Sequence, residues 1–435
     1  MNNDLICSNL SVENGVLHFA KQNTLALAQQ YGTPLYLMDE DRIRERCATY
    51  LNAMRAALGE KGHVLYASKA ASYKRIYEIM GEEGMGIDVV SSGEIFTAVK
   101  AGFPMEKAFF HSNNKTDTDI AYAMENGVGY FVVDNAEELY AIERIGTQLE
   151  KQQPVLLRIT PGIDPHTYEE VATGKVDSKF GSAIETGQAE EITKTALSLP
   201  HVDLKGFHCH VGSQVFDSDV YISTVDIMLE FIAHVQNTLG FSAQILDLGG
   251  GYGVRYTADQ PEIDIAANIA QVGEVLKAKA AQLDMELPHI YMEPGRSIVA
   301  DAGLTLYTAG TVKKIPGYKN YVSVDGGMTD NPRFILYGAP YTVLPAGKML
   351  ESRDMICSVV GRCCESGDII QEDVAMPESI GRGDIIACLT TGAYHYSMAS
   401  NYNRIPRPPV VMLRGGESYV AVRRETPEDL VALDV

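Results

Sequence analysis

No stretch of about 18 consecutive apolar residues occurs in the 435-residue chain, so no membrane-spanning helix is expected. Basic residues are few: 36 Lys and Arg stand against 57 Asp and Glu, a net charge of −21. Nucleic acid and anionic membrane surfaces are therefore not expected as partners, because phosphate contacts need basic patches. The seven cysteines are odd in number and irregularly spaced, which fits a reducing cytoplasm better than a disulfide framework. The N-terminal stretch MNNDLICSNL lacks a basic segment and a long apolar core, so no secretory signal is expected and a cytoplasmic location is. No internal repeat or low-complexity tract is present.

What is present is a rhythm. Eight short apolar runs each stop at polar residues able to do chemistry. Val64–Ser68 runs into Lys69, Gly86–Val90 into Ser91-Ser92-Gly93-Glu94, Lys107–Phe110 into His111-Ser112-Asn113, and Gly129–Val133 into Asp134-Asn135. Val155–Leu157 runs into Arg158, Leu204–Phe207 into His208-Cys209-His210, Ala243–Leu246 into Asp247, and His289–Met292 into Glu293-Pro294-Gly295-Arg296. Segments of helical length and period lie between them. Strand, loop and helix repeated eight times predict a (β/α)8 TIM-like barrel, an α/β fold whose active site gathers at the C-terminal strand ends.

Helix starts are legible too. Thr116 with Asp119 is a capping-box pair, and Asn135 with Glu138 reads the same way. After Arg296 the period changes: Leu304–Lys314, Tyr321–Asp325, Met355–Cys363, Ile385–Thr390, Val410–Leu413 and Tyr419–Arg424 read as strands of an all-β domain. Asn14-Gly15 marks a hairpin within Leu10–Phe19, expected to pair with that β domain. The expected division is a barrel over residues 36–296, inserted between residues 1–35 and 297–435 of a β-barrel or β-sandwich domain.

The strand ends carry the chemistry. A lysine such as Lys69 at a buried strand end is costly unless paired, neutral or covalently used, although alone it could simply reach out at the rim. Gly249, Gly250 and Gly251 follow strand seven, where backbone N–H groups can converge on an anion; on its own the run could be a tight turn. Ser213 can add a hydroxyl to the same anion. Glu293 needs a positive partner, either a pyridinium nitrogen or, more blandly, Arg296. His208 and His210 point the same way and suit either stacking on an aromatic cofactor or, with Asp247 or Glu293, a metal site. A lysine, a phosphate cradle, a carboxylate and a flat support together describe a pyridoxal 5′-phosphate site.

With these motifs in this order, the chain resembles the alanine-racemase-like, fold type III pyridoxal-phosphate decarboxylases. The resemblance rests on Tyr66–Ala70, Asp88–Glu94, His111–Lys115, Arg158–Gly162, Lys179-Phe180-Gly181, Gly206–Gln214, Asp247–Gly253 and Glu293–Arg296. It continues through Asp325–Tyr337, Gly361–Asp368, Gly392-Ala393-Tyr394 and Asn401–Pro408. It implies that Lys69 carries the cofactor, His210 stacks on its ring and Glu293 holds its nitrogen. Asp88, Ser213, Gly249, Gly250, Gly251, Gly295, Arg296 and Tyr394 would complete the cofactor site. Arg296, Arg333, Tyr337, Glu365 and Tyr394 would contact substrate, and Cys364 would return a proton to the substrate carbon. It further implies a homodimer in which Cys364 and Glu365 serve the neighbouring subunit's site. Ala71 and Phe334 depart from the usual family pattern.

The implied reaction is decarboxylation of meso-2,6-diaminopimelate to L-lysine and CO2. Charge chemistry agrees with it: Arg333 and Arg296 can grip a distal carboxylate, and Glu365 a distal ammonium. Decarboxylation of another basic amino acid or a carboxy-polyamine, a non-catalytic pyridoxal carrier and a metal-dependent hydrolase remain as other readings. So do a surface role for Arg333 and a buried β pair for Cys363-Cys364.

Overall fold

The computed structural model describes residues 5–163 and 178–435; residues 1–4 of the N-terminal stretch read above lie outside them. The chain divides into two compact units, one of Arg46–Gly253 with Glu262–Ser297, the other of Met1–Glu45, Val254–Pro261 and Ile298–Val435.

In the first unit eight parallel strands close on themselves: Gly62–Ala67, Gly86–Val89, Ala108–Phe110, Tyr130–Val133, Gln153–Thr160, Val202–His208, Ile245–Asp247 and His289–Met292. Closure is made where the last pairs with the first, Ile290 opposite Gly62 and Met292 opposite Val64. These are the eight runs of the sequence rhythm. Leu65, Phe109, Val132, Leu156 and Ile245 fill the interior as one buried cluster, so the barrel is a packed core with chemistry confined to its rim.

Helices connect successive strands, and their starts are chemically specified. Thr116 and Asp119 form the reciprocal capping box over Asp117–Glu125. Asn135 caps Ala136–Leu149 by accepting the Glu138 N–H, but the Glu138 carboxylate does not return the bond. It accepts instead from Lys115 Nζ at 2.7 Å and from the Asp134 N–H at 3.1 Å. Burial of both side chains favours this pairing, since neither charge has water to turn to.

The second unit is mostly β. Its long strand Gly303–Ile315 pairs with Leu35–Asp39, with Lys319–Val324 and with Ile385–Leu389. The Asn14-Gly15 hairpin forms, with Glu13 opposite Val16 and φ of 50° and 81° at the turn. It does not join the large sheet; it makes its own three-stranded sheet with Gln22–Asn23. Leu17 and Phe19 pack with Leu37, Leu306 and Leu344 instead. The segment that enters the large sheet is Leu35–Asp39, antiparallel to Gly303–Leu306 and parallel to Val410–Leu413. All five of its residues are buried, and a short apolar run flanked by both sheet neighbours cannot be assigned to a unit by periodicity. The change of unit thus falls after Glu45, where the sequence placed it at residue 36, and Val254–Pro261 also belongs with the β unit.

Candidate active site

Glu293, one residue past the last barrel strand, is the centre of a buried polar cluster. Its Oε1 lies 2.7 Å from His111 Nε2, and its Oε2 lies 3.2 Å from His208 Nε2. The two imidazole rings meet edge to face, 4.9 Å apart. Burial pushes the Glu293 carboxyl up, but His111 and His208 outweigh it and hold it well below the ordinary carboxylate range. Asp247 goes the other way: burial, and then the Glu293 charge, raise it well above that range. Asp247 Oδ1 accepts the Gly249 N–H at 2.8 Å, which ties the carboxyl to the glycine turn.

Lys69 follows the first strand in a single turn, Ser68–Ala70, and its Nζ stands 3.9 Å from Asp88 Oδ2 at the end of strand two. Burial raises Asp88, while His111 and Lys69 draw it back down. Glu94, deep in the next helix start, accepts the Val90 N–H at 2.7 Å and is pushed up to about 7 by burial and by Asp88. Arg158 lies within strand five, which continues past it to Thr160, and stands over the Phe180 ring, 4.4 Å from its centroid. Burial lowers it, and Asp134, Glu293 and Asp88 oppose that.

The glycine turn has no room for side chains. A Cβ on Gly250 would sit 2.2 Å from the Glu293 carbonyl oxygen, and one on Gly251 would sit 2.3 Å from the Gly212 carbonyl oxygen. Gly249 (φ +68°) and Gly251 (φ +115°) also occupy the left-handed region. On Gly295 a Cβ would press on Ala67 at 2.8 Å. The Gly250 N–H donates to His210 Nδ1 at 3.2 Å, and burial, then Lys69, hold His210 well below its ordinary pKa. Arg296 donates to Ser213 Oγ through Nη2 at 2.9 Å.

In the β unit, Arg333 is buried at the start of the short helix Arg333–Tyr337. Its guanidinium faces two aromatic rings, Tyr337 at 5.2 Å and Tyr394 at 5.1 Å. Tyr394 has φ +64°, a conformation that costs a non-glycine residue about 1–3 kcal/mol. Cys364 is exposed on the loop after the strand Met355–Val360, its N–H donating to Asn403 Oδ1 at 2.9 Å. Glu365 is exposed beside it. Buried Asp368 closes this loop by accepting the Met328 and Cys363 N–H groups at 2.6 and 2.7 Å. Burial and Asp368 push the Cys363 thiol up to about 12.

Several expectations are refined by this geometry. The bland pairing of Glu293 with Arg296 does not occur: Glu293 has the histidines and Arg296 has Ser213. The convergent pair is His208 with His111, not His208 with His210, because His210 turns to the glycine loop. The strand carrying Cys357 ends at Val360, so Cys363-Cys364 is a loop pair and not a buried β pair. Arg333 is not a surface arginine. His111, Arg158, Asp134 and Glu94 entered the sequence reading only as strand-end or motif residues without a role. The signal for His111 was there, a histidine directly after an apolar run, but its partner lies 182 positions away in sequence.

The barrel residues fit pyridoxal phosphate on their own geometry. An amine beside a buried carboxylate, an anionic Glu293 and a glycine cradle closed to side chains are the parts such a group requires. Asp88 Oδ1 and His208 Nδ1 are buried without a hydrogen-bond partner among the described residues.

Residues 40–300 match the pyridoxal-binding domain of pyridoxal-dependent decarboxylases. The diaminopimelate decarboxylase of Bacillus subtilis is 43% identical over 97% of this chain and 96% of its own length. That of Bacillus methanolicus is 43% identical over 95% of each chain. Among solved structures, diaminopimelate decarboxylase from M. jannaschii in co-complex with L-lysine is similar with a TM-score of 0.91 and 32% identity, covering 98% of both chains. The chain belongs to the family of pyridoxal-dependent decarboxylases.

Proposed function

We propose that this protein decarboxylates meso-2,6-diaminopimelate to L-lysine and CO2, using pyridoxal 5′-phosphate. The single observation that carries the substrate is Arg333, a buried guanidinium held between Tyr337 and Tyr394 and thus preset to receive a carboxylate. The full-length relatives that bear this name support it.

Lys69 would anchor the cofactor, His210 would support its ring, and Glu293 would hold the ring nitrogen. Ser213, the Gly249–Gly251 turn, Gly295 and Tyr394 would receive the phosphate. When bound, the cofactor supplies an electron sink for the bond that breaks as CO2 leaves. The rest falls to the protein. Arg333, with Arg296, binds the distal carboxylate of the substrate, and Glu365 takes its distal ammonium. The Cys364 thiol delivers a proton to the carbon that has lost CO2. Cys364 and Glu365 act in the site of a second copy of the chain, so the working unit is a homodimer. Such an enzyme belongs in the cytoplasm, where lysine is made.

The test is CO2 release from meso-diaminopimelate, ornithine, arginine and lysine in parallel. Diaminopimelate is expected to exceed the others by roughly 10⁴-fold, because charges built for the distal end are left unpaired by analogues lacking it. Arg333→Ala narrows the gap by losing diaminopimelate turnover. Equal turnover of ornithine by the unaltered enzyme refutes the assignment.

A further inference from the structure

The cofactor roles just proposed leave two buried side chains without a task. We propose that His111 and His208 are positioning residues for Glu293, each imidazole holding one of its carboxylate oxygens so that Glu293 meets the ring nitrogen in one orientation and as an anion. The inference rests on the pyridoxal reading above.

Three observations carry it. First, the contacts are divided: His111 Nε2 faces Oε1 at 2.7 Å and His208 Nε2 faces Oε2 at 3.2 Å. The His208 contact is a hydrogen bond, whereas the His111 contact is an ion-pair approach without hydrogen-bond alignment; between them the two imidazoles flank both carboxylate oxygens and limit the rotation of the group. Second, all three side chains are buried, 8%, 1% and 5% exposed for His111, His208 and Glu293, so no water competes for these contacts. Third, the tautomer of His208 follows from its surroundings. Its Nδ1 has no hydrogen-bond partner among the described residues, so the proton belongs on Nε2, where the carboxylate accepts it. Burial lowers His208 to about 4, which makes it a neutral donor at physiological pH.

The neighbouring Asp247 completes the logic. Burial and Glu293 raise Asp247 while the imidazoles hold Glu293 low, so of the two neighbouring carboxyls the negative charge is favoured on Glu293. A carboxylate flanked by an imidazole at each oxygen is a weaker base. The proton it shares with a ring nitrogen then stays on the ring, which is the state that draws electrons from the substrate.

Phenylalanine and glutamine separate this role from space filling. His→Phe keeps a ring and removes the donor; His→Gln keeps an N–H near the place of Nε2. Each variant is loaded with pyridoxal phosphate carrying 15N in the ring, and the 15N chemical shift is read alongside kcat and KM. The unaltered enzyme and the glutamine variants are expected to show a protonated ring nitrogen. His111→Phe, His208→Phe and above all the double variant should move toward the unprotonated shift, with kcat down about 10–100-fold and KM little changed. A phenylalanine variant that does not load is read through its glutamine counterpart, where a protonated signal supports the proposal and its loss overturns it. A fully loaded double phenylalanine variant that keeps the protonated signal also overturns it. If the substrate assignment fails instead, the unaltered enzyme releases no CO2 from diaminopimelate while the nitrogen signal is unaffected.

Discussion

Lys69 Nζ lies 3.9 Å from Asp88 Oδ2, yet the lysine side chain is 49% exposed and the aspartate side chain 1%. The amine is thus at the open mouth of the barrel while its counter-charge is fixed in the wall. Such a pair holds the amine by charge while leaving it accessible.

Lys69→Ala should therefore leave the fold intact and abolish the visible absorbance of bound pyridoxal phosphate that borohydride bleaches. Decarboxylation should fall by orders of magnitude with it. Borohydride-sensitive absorbance in that variant would place the anchor on another residue.

Subunit exchange tests the shared site. Lys69→Ala and Cys364→Ala homodimers should each be nearly inactive. After full exchange, half the dimers are mixed, and each mixed dimer has one site with both residues intact and one with neither. Activity should recover to roughly a quarter of the unaltered enzyme. Verified exchange with no recovery would mean that both residues serve one site from one chain.

Lys115 and Glu138 form a buried ion pair at 2.7 Å, and Lys115 also donates to the Val132 carbonyl at 2.7 Å. Lys115→Met strands the carboxylate and should cost about 3–5 kcal/mol in urea unfolding. Lys115→Met with Glu138→Leu should recover part of that, since no lone charge remains. A single variant as stable as the parent would show that the pair contributes little.

Glu94 gives a pH signature. Its carboxyl is raised in the folded state, to about 7, so between the unfolded carboxylate range and pH 7 the folded chain binds more protons than the unfolded one. Stability should fall as pH rises through that window, by at most ~1.4 kcal/mol per unit from this group. Glu94→Gln should flatten that part of the profile, measured as the difference between the two unfolding curves. Parallel curves would show that Glu94 does not titrate there.

Much of this molecule was determined by sequence alone. Eight apolar runs ending in polar residues require strands whose ends share a rim, because a closed parallel barrel aligns every C-terminal end on one face. Lys69, His210, Gly249–Gly251 and Glu293 all follow such runs, so the sequence alone placed them on that one rim. Local chemistry was equally legible: the Thr116 capping box and the Asn14-Gly15 turn need only neighbours in sequence. Tertiary structure decided what depends on distant partners. Whether Leu35–Asp39 belonged to barrel or β unit turned on its pairing with Gly303–Leu306, which no periodicity encodes. The partner of Glu293 turned on barrel closure, which brings His111 from strand three and His208 from strand six to the same carboxylate. Glu138 likewise gave up a local cap for Lys115, because burying a lysine without its countercharge costs more than one unmade capping bond.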